Sequence, residues 1–198
     1  MGLNLTYNDG QTPLDEDEKE GLLIKAISTR SELDEFEQQN IEDAIQWSLT
    51  RKLKLEQILS ESFIRDLHKR MYGRVWKWAG EYRKTNKNIG VDKLTIPIAL
   101  RSLIDDAKYW FEHKVYEPDE FAIRIKHRVV SIHCFPNGNG RHSRMIADII
   151  IEKIYNQPVF SWGGNSLSNE TDIREQYLKA IRKADKGEFN LLLKFARS

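Results

Sequence analysis

Cysteine is almost missing from this chain. Cys134 stands alone, so no internal disulfide can form, and a reducing compartment suits the sequence best. An excess of one charge is missing too: 31 Lys and Arg face 30 Asp and Glu, for a formal net charge of +1. That balance supplies no bulk attraction to nucleic acid or to an anionic membrane, so neither is expected as a direct partner. No apolar run approaches the roughly 20 residues of a membrane span. The longest candidate, 146–151, is broken by Asp148. The first ten residues, MGLNLTYNDG, lack the basic-then-apolar layout of a signal peptide. Internal repeats and low-complexity tracts are absent as well. These absences exclude a disulfide scaffold and a membrane span, and predict a soluble, cytoplasmic protein.

What is present is enough for a core. Hydrophobic residues make up 40% of 198 positions, which suits one domain of ordinary size. After a polar start, "TPLDEDEKEGLL" reads as a turn at Pro13 and a short acidic helix. Over 31–53 the residues Leu33, Phe36, Ile41, Ala44, Ile45, Trp47 and Leu49 recur at helical steps and predict one buried stripe. A second helix is predicted over 60–72, ended by Gly73. The pattern then changes: "GEYRKTNKNIGVDKLTIP" reads as an extended hairpin or flap. Helical periodicity resumes over 98–115, again from Pro118 to His133, and again over 140–155. After the loop "SWGGNSLSN", helices are expected over 170–186 and through Phe189, Leu192 and Phe195. The architecture predicted is mostly α with one small β excursion.

The densest chemistry lies in "SIHCFPNGNGRHSR", residues 131–144. Pro136 interrupts the incoming helix, and Gly138 and Gly140 permit backbone angles that other residues resist. A glycine-rich turn that enters a helix presents free N–H groups at the positive end of the helix dipole, which predicts an anion site suited to phosphate. Arg141 and Arg144, at i and i+3, add two guanidinium groups on neighbouring positions of one helix face. His133, just ahead of the turn, is placed to take a proton from an attacking hydroxyl. The local chemistry therefore reads as transfer of a phosphorus-containing group to a hydroxyl. A P-loop is excluded, since no Gly-Lys-Ser/Thr follows. Zinc is disfavoured by the six-residue spacing of His127 and His133. Cys134 points about 100° away from His133 on a helix and is a poor nucleophile candidate. Trp76 and Trp78 read as core, whereas "WGGN", residues 162–165, and Tyr177 are candidate borders of a base pocket.

The stretch His133-Cys134-Phe135-Pro136-Asn137-Gly138-Asn139-Gly140-Arg141-His142-Ser143-Arg144 resembles the signature of the Fic (Fido) family, His-x-Phe-x-Asp/Glu-Gly-Asn-Gly-Arg-x-x-Arg. "LHKRMYGRVWKWAGEYRKTNKNIGV" and "TIP" are similar to the family's core helix and flap, and the likeness covers about 55–195. "TPLDEDEKEGL" and "ELDEFEQQNI" resemble the bacterial mobile mystery protein B subgroup. The resemblance implies a Fic-type helical bundle with a β-hairpin flap. It divides the chain into an N-terminal segment and helix, 1–54, with a possible inhibitory helix near 14–21, and a core domain over 55–198.

The activity implied is transfer of AMP from ATP to a Tyr, Ser or Thr hydroxyl of a protein, or of the chain itself. His133 would be the base and Phe135 a buried anchor. Gly138, Asn139, Gly140 and Arg141 would hold the phosphates, and Arg144 the γ-phosphate. Ile89, Gly90, Thr95, Ile96 and Pro97 would dock the target along the flap. Asn137 stands where the family's carboxylate would hold Mg²⁺, and a carboxamide is a poorer ligand for a hard cation. The alternatives that follow are a catalytically weakened nucleotide-binding regulator or toxin-type protein with an antitoxin-like partner, or transfer of another phosphate-containing group. Glu20, in "EGL", is the candidate inhibitory glutamate expected to pair with Arg144; Glu35 and Glu37 are less favoured.

Overall fold

A computed structural model describes residues 12–164 and 170–198. Its elements are helices α1 (Glu16–Lys19), α2 (Arg30–Leu49), α3 (Leu55–Ile58), α4 (Glu61–Tyr72), α5 (Ile96–Glu112), α6 (Pro118–Ile132), α7 (Asn139–Tyr155), α8 (Glu170–Ala184) and α9 (Asn190–Arg197), with a 3-10 turn at Lys93–Thr95. The helices α6 and α7 make the most extensive contact and form the centre. Around them, α5 lies on α6, α4 on α2 and α7, and α9 on α6 and α8. The predicted starts have physical caps. Thr29 accepts from the Glu32 amide while Glu32 reaches back, and Ser60 accepts from the Phe63 amide. Pro118 occupies the first turn of α6, where its missing N–H costs nothing. No helix among the described residues is long and apolar enough to cross a membrane.

Two expectations are corrected. The buried stripe of α2 is Leu33, Glu37, Asn40, Ile41, Ala44 and Ser48, whereas Phe36, Ile45 and Leu49 are exposed. The face is turned because Glu37, 4% exposed, is drawn inward by the Trp76 indole N–H at 2.7 Å and by Arg141 at 2.6 Å. Nor does a β-hairpin form: among the described residues the only β pairing is an isolated bridge between Leu22 and Trp76. The flap is a loop closed around one guanidinium. Arg83, 3% exposed, donates to the carbonyls of Thr85 (2.9 Å), Val91 and His133 (2.7 Å). A planar fork satisfies those acceptors in place of a cross-strand ladder. Ile96 and Pro97, expected on a flap arm, form the first turn of α5, and Ile96 is fully buried.

Candidate functional site

The helix α6 ends at Ile132, and His133 takes its C-cap at φ 57°, ψ 61°. For a residue with a Cβ this left-handed conformation costs roughly 1–2 kcal/mol, so the surroundings must hold it. They do so from both sides. Arg83 ties down the His133 carbonyl through its side chain and the Cys134 carbonyl through its backbone amide (2.9 Å). Beneath the turn, fully buried Phe135 stacks on His68 at 3.8 Å. The Gly80 amide donates to His68 Nδ1 (3.0 Å), which leaves Nε2 to donate to the Asn137 carbonyl (3.0 Å). The Asn139 side chain clamps the Phe135 backbone through both its amide groups, accepting at 3.0 Å and donating at 2.8 Å. Gly138 has φ 78°, and a Cβ there would lie 2.6 Å from the Tyr72 ring.

This turn delivers the start of α7 without a side-chain cap, so first-turn N–H groups face outward at the positive helix end. They form the floor of a cavity of about 450 Å³. Arg30, Arg141, Arg144 and Arg174 line it together with His133, the 137–140 turn and Tyr177. Gly140 meets nothing within 4 Å of its missing Cβ, so no protein atom requires a glycine there. Four arginines over a helix N-terminus make a site for a strongly anionic ligand. On one wall, the Arg144 guanidinium lies 4.4 Å from the centre of the Tyr177 ring and 5.7 Å from that of Trp162. The buried Arg144 Nε has no hydrogen-bond partner among the described residues. The phenol of Tyr177 accepts from buried Lys126 (2.6 Å), whose pKa burial and the charge of Arg144 push well down.

His133 is 5% exposed, and burial, with Arg83 and Lys87 nearby, lowers its pKa to about 4. It is neutral at pH 7 and able to accept a proton. Its Nε2 stands 3.1 Å from the hydroxyl of Thr12, and the Asn137 amide donates to the Thr12 carbonyl at 3.1 Å. The Asn137 side-chain oxygen accepts from the Gly138 amide at 2.6 Å. Its nitrogen and oxygen are thus both engaged by the backbone, and no group of metal-ligating side chains occurs among the described residues. The residues present do not fit a protein-held Mg²⁺ at Asn137.

The turn residues His133, Asn137, Gly138, Asn139, Gly140, Arg141 and Arg144 all line one cavity. Two of them carry roles that the sequence does not show. Asn139 spends its side chain on Phe135 and offers the ligand only its N–H, and Arg141 is paired with Glu37 at 2.6 Å. Glu20 is not brought to Arg144. It is exposed at the C-cap of α1, and no ion pair joins the two described residues. Of the flap residues, Ile89 lines the cavity, and a Cβ at Gly90 would lie 2.6 Å from the His133 Cβ. Thr95 and Pro97 are exposed farther along. Asn165, the last residue of "WGGN", lies outside the described residues. Sequence reasoning missed Thr12, Arg30, Arg83, Lys87, Arg174 and the positioning role of His68. The sequence marked none of these: Arg83 in "EYRKTN" is one basic residue among several, and its burial comes from the fold.

The geometry defines a class first: a helical protein with a neutral histidine beside an arginine-lined anion cavity. Comparison with known proteins shows what it resembles. Residues 58–151, just under half of the chain, match the model of the Fic/DOC family. The chain is 22% identical over 174 residues to a protein adenylyltransferase Fic of Nematostella vectensis, covering 86% of this chain and 39% of that one. It is 27% identical over 146 residues to that of Drosophila grimshawi, covering 72% and 28%. It thus spans about two fifths or less of these curated relatives. Among solved structures, BepC from Bartonella tribocorum, with bound AMPPNP, superposes with a TM-score of 0.68 at 14% identity, covering 92% of this chain and 97% of that one. Fic-1 from C. elegans gives 0.65 at 20% identity, covering 90% and 50%.

Proposed function

We propose that this protein transfers AMP from ATP to a hydroxyl side chain of a protein. The observation that carries this reading is neutral His133 facing a hydroxyl at the edge of the arginine-lined cavity. The names of the curated relatives support it. The N–H groups that open α7, with Arg141 and Arg144, would hold the phosphates and stabilise charge as it shifts to the leaving group. His133 Nε2 would take the proton of the acceptor hydroxyl. Ile89, Gly90 and Thr95, on the loop held by Arg83, would steer the target backbone to that nitrogen. The N-terminal pieces "TPLDEDEKEGL" and "ELDEFEQQNI" support the mobile mystery protein B-like subgroup within the family.

A second reading rests on Asn137. Its oxygen is committed to the Gly138 amide, so the chain brings no carboxylate to the metal of a nucleotide. The consequence is a slow transferase, or a nucleotide-binding regulator. Incubation with ATP labelled at the α-phosphate separates the two. We expect labelled protein with the native chain and a loss of about a hundredfold or more with His133→Ala. Tight ATP binding with no labelled protein in a lysate would refute the transferase reading and leave the regulator.

A further inference from the structure

The acceptor position beside His133 is already filled. Thr12, 6% exposed, places its hydroxyl 3.1 Å from His133 Nε2 and lines the same cavity as the α7 N-terminus. Its placement is over-determined. Asn137 holds the Thr12 carbonyl, and Lys87 gathers the next residues, donating to the Pro13 carbonyl (3.3 Å), Asp15 (2.9 Å) and Glu18 (2.5 Å). Thr85 donates to Asp15 at 2.6 Å, and the Trp78 indole donates to the Glu18 carbonyl at 2.9 Å. A fold that needed only to cover the turn would not require a hydroxyl aimed at the one nitrogen that serves as base. Among the described residues, Thr12 is the hydroxyl set on His133.

We infer that Thr12 is itself an acceptor, so that the chain adenylylates its own N-terminal segment in cis. This rests on the AMP-transfer reading above and names an acceptor for it. In the step, His133 Nε2 takes the Thr12 proton and Oγ1 forms a bond to the α-phosphorus of ATP. The bond between that phosphorus and the α–β bridging oxygen breaks, and pyrophosphate leaves with the electron pair. The products are Thr12 esterified through Oγ1 to AMP, pyrophosphate, and a histidinium that returns its proton to solvent. A base already in contact with its hydroxyl has paid the positional entropy of a second protein's approach, which is worth orders of magnitude in rate. An esterified Thr12 can no longer donate to His133, so the 12–18 segment loses that anchor over the base.

The test is residue-level mapping by mass spectrometry after the full chain is incubated with ATP and Mg²⁺, alone and with a cell lysate. The expected result is an AMP group on Thr12, at a rate independent of protein concentration. Thr12→Ser should keep the label on that peptide and Thr12→Val should lose it. A tagged His133→Ala chain mixed with the native chain should stay unmodified at Thr12. Lysate proteins labelled while Thr12 of the native chain stays bare would overturn this inference and leave the transferase intact. Label on Thr12 of the tagged His133→Ala partner would overturn the cis step. No label anywhere, Thr12 included, would bring down the inference and the transferase reading together.

Discussion

Glu37 is the residue whose substitution tests the most of this structure. It lies on α2 with its carboxylate buried, accepting from the Trp76 indole at 2.7 Å and from Arg141 at 2.6 Å. Glu37→Gln keeps the shape but removes the charge, and the amide nitrogen must then face one of two donors. A hydrogen bond to a charged group is worth about 1.5–3 kcal/mol. The Arg141 side chain is 36% exposed at the cavity, so water takes over part of its solvation. The expected loss is therefore about 2 kcal/mol, near the lower part of that range. For a chain of this size it lowers Tm by about 4–8 °C. The same change releases a guanidinium over the α7 N-terminus, so ATP should raise the Tm of the variant by more than that of the native protein. Thermal unfolding with and without ATP measures both quantities. An unchanged Tm would mean that Glu37 does not carry the α2 contact. A lower Tm with no larger response to ATP would refute the placement of Arg141 at the anion site.

The two glycines of the turn should separate cleanly. Gly138→Ala forces a Cβ against Tyr72 at positive φ, and should cost at least about 1–2 kcal/mol of stability from the backbone alone. Gly140→Ala meets no protein atom, so it should melt like the native chain yet weaken ATP binding, as calorimetry would show. The buried histidines predict an acid-sensitive fold. His133 and His142 are lowered to about 4 and His68 well below 6.5, each chiefly by burial, and His127 is lowered too. With folded values below unfolded ones, the unfolded chain binds more protons between about pH 6.5 and 4. Their contribution is present above pH 6.5 and is lost as pH falls through that window. Denaturant titrations at stepped pH should show it, and a flat profile would contradict the burial. Labelling, by contrast, should keep its base down toward pH 4 in any chain that remains folded.

The helices were legible because their signals are local. Pro118 marks a start by forgoing an N–H that needs no partner there, and the apolar steps of α4 to α7 need only a period. The turn from His133 to Arg144 was legible for the same reason: its backbone and its two arginines lie within twelve consecutive residues. The failures are all long-range. Phe36 and Glu37 are adjacent, and hydrophobicity alone favours burying Phe36. Only the arrival of Trp76 and Arg141 from other elements decides that the glutamate goes in. The flap sequence has strand-like pieces, but Arg83 reaching across the loop offers its carbonyls a nearer donor than a second strand would.

By itself, then, the sequence determined a mostly helical chain and a glycine-rich turn that opens a helix beside a histidine, because those depend on neighbours in the chain. Tertiary structure decided which carboxylate meets an arginine of the turn and which hydroxyl meets His133. Glu37 rather than Glu20 finds an arginine, and it is Arg141 rather than Arg144. Thr12 comes to His133 across 121 positions of sequence. Pairings at that separation are set by how helices and loops pack together, and a one-dimensional pattern carries no term for them.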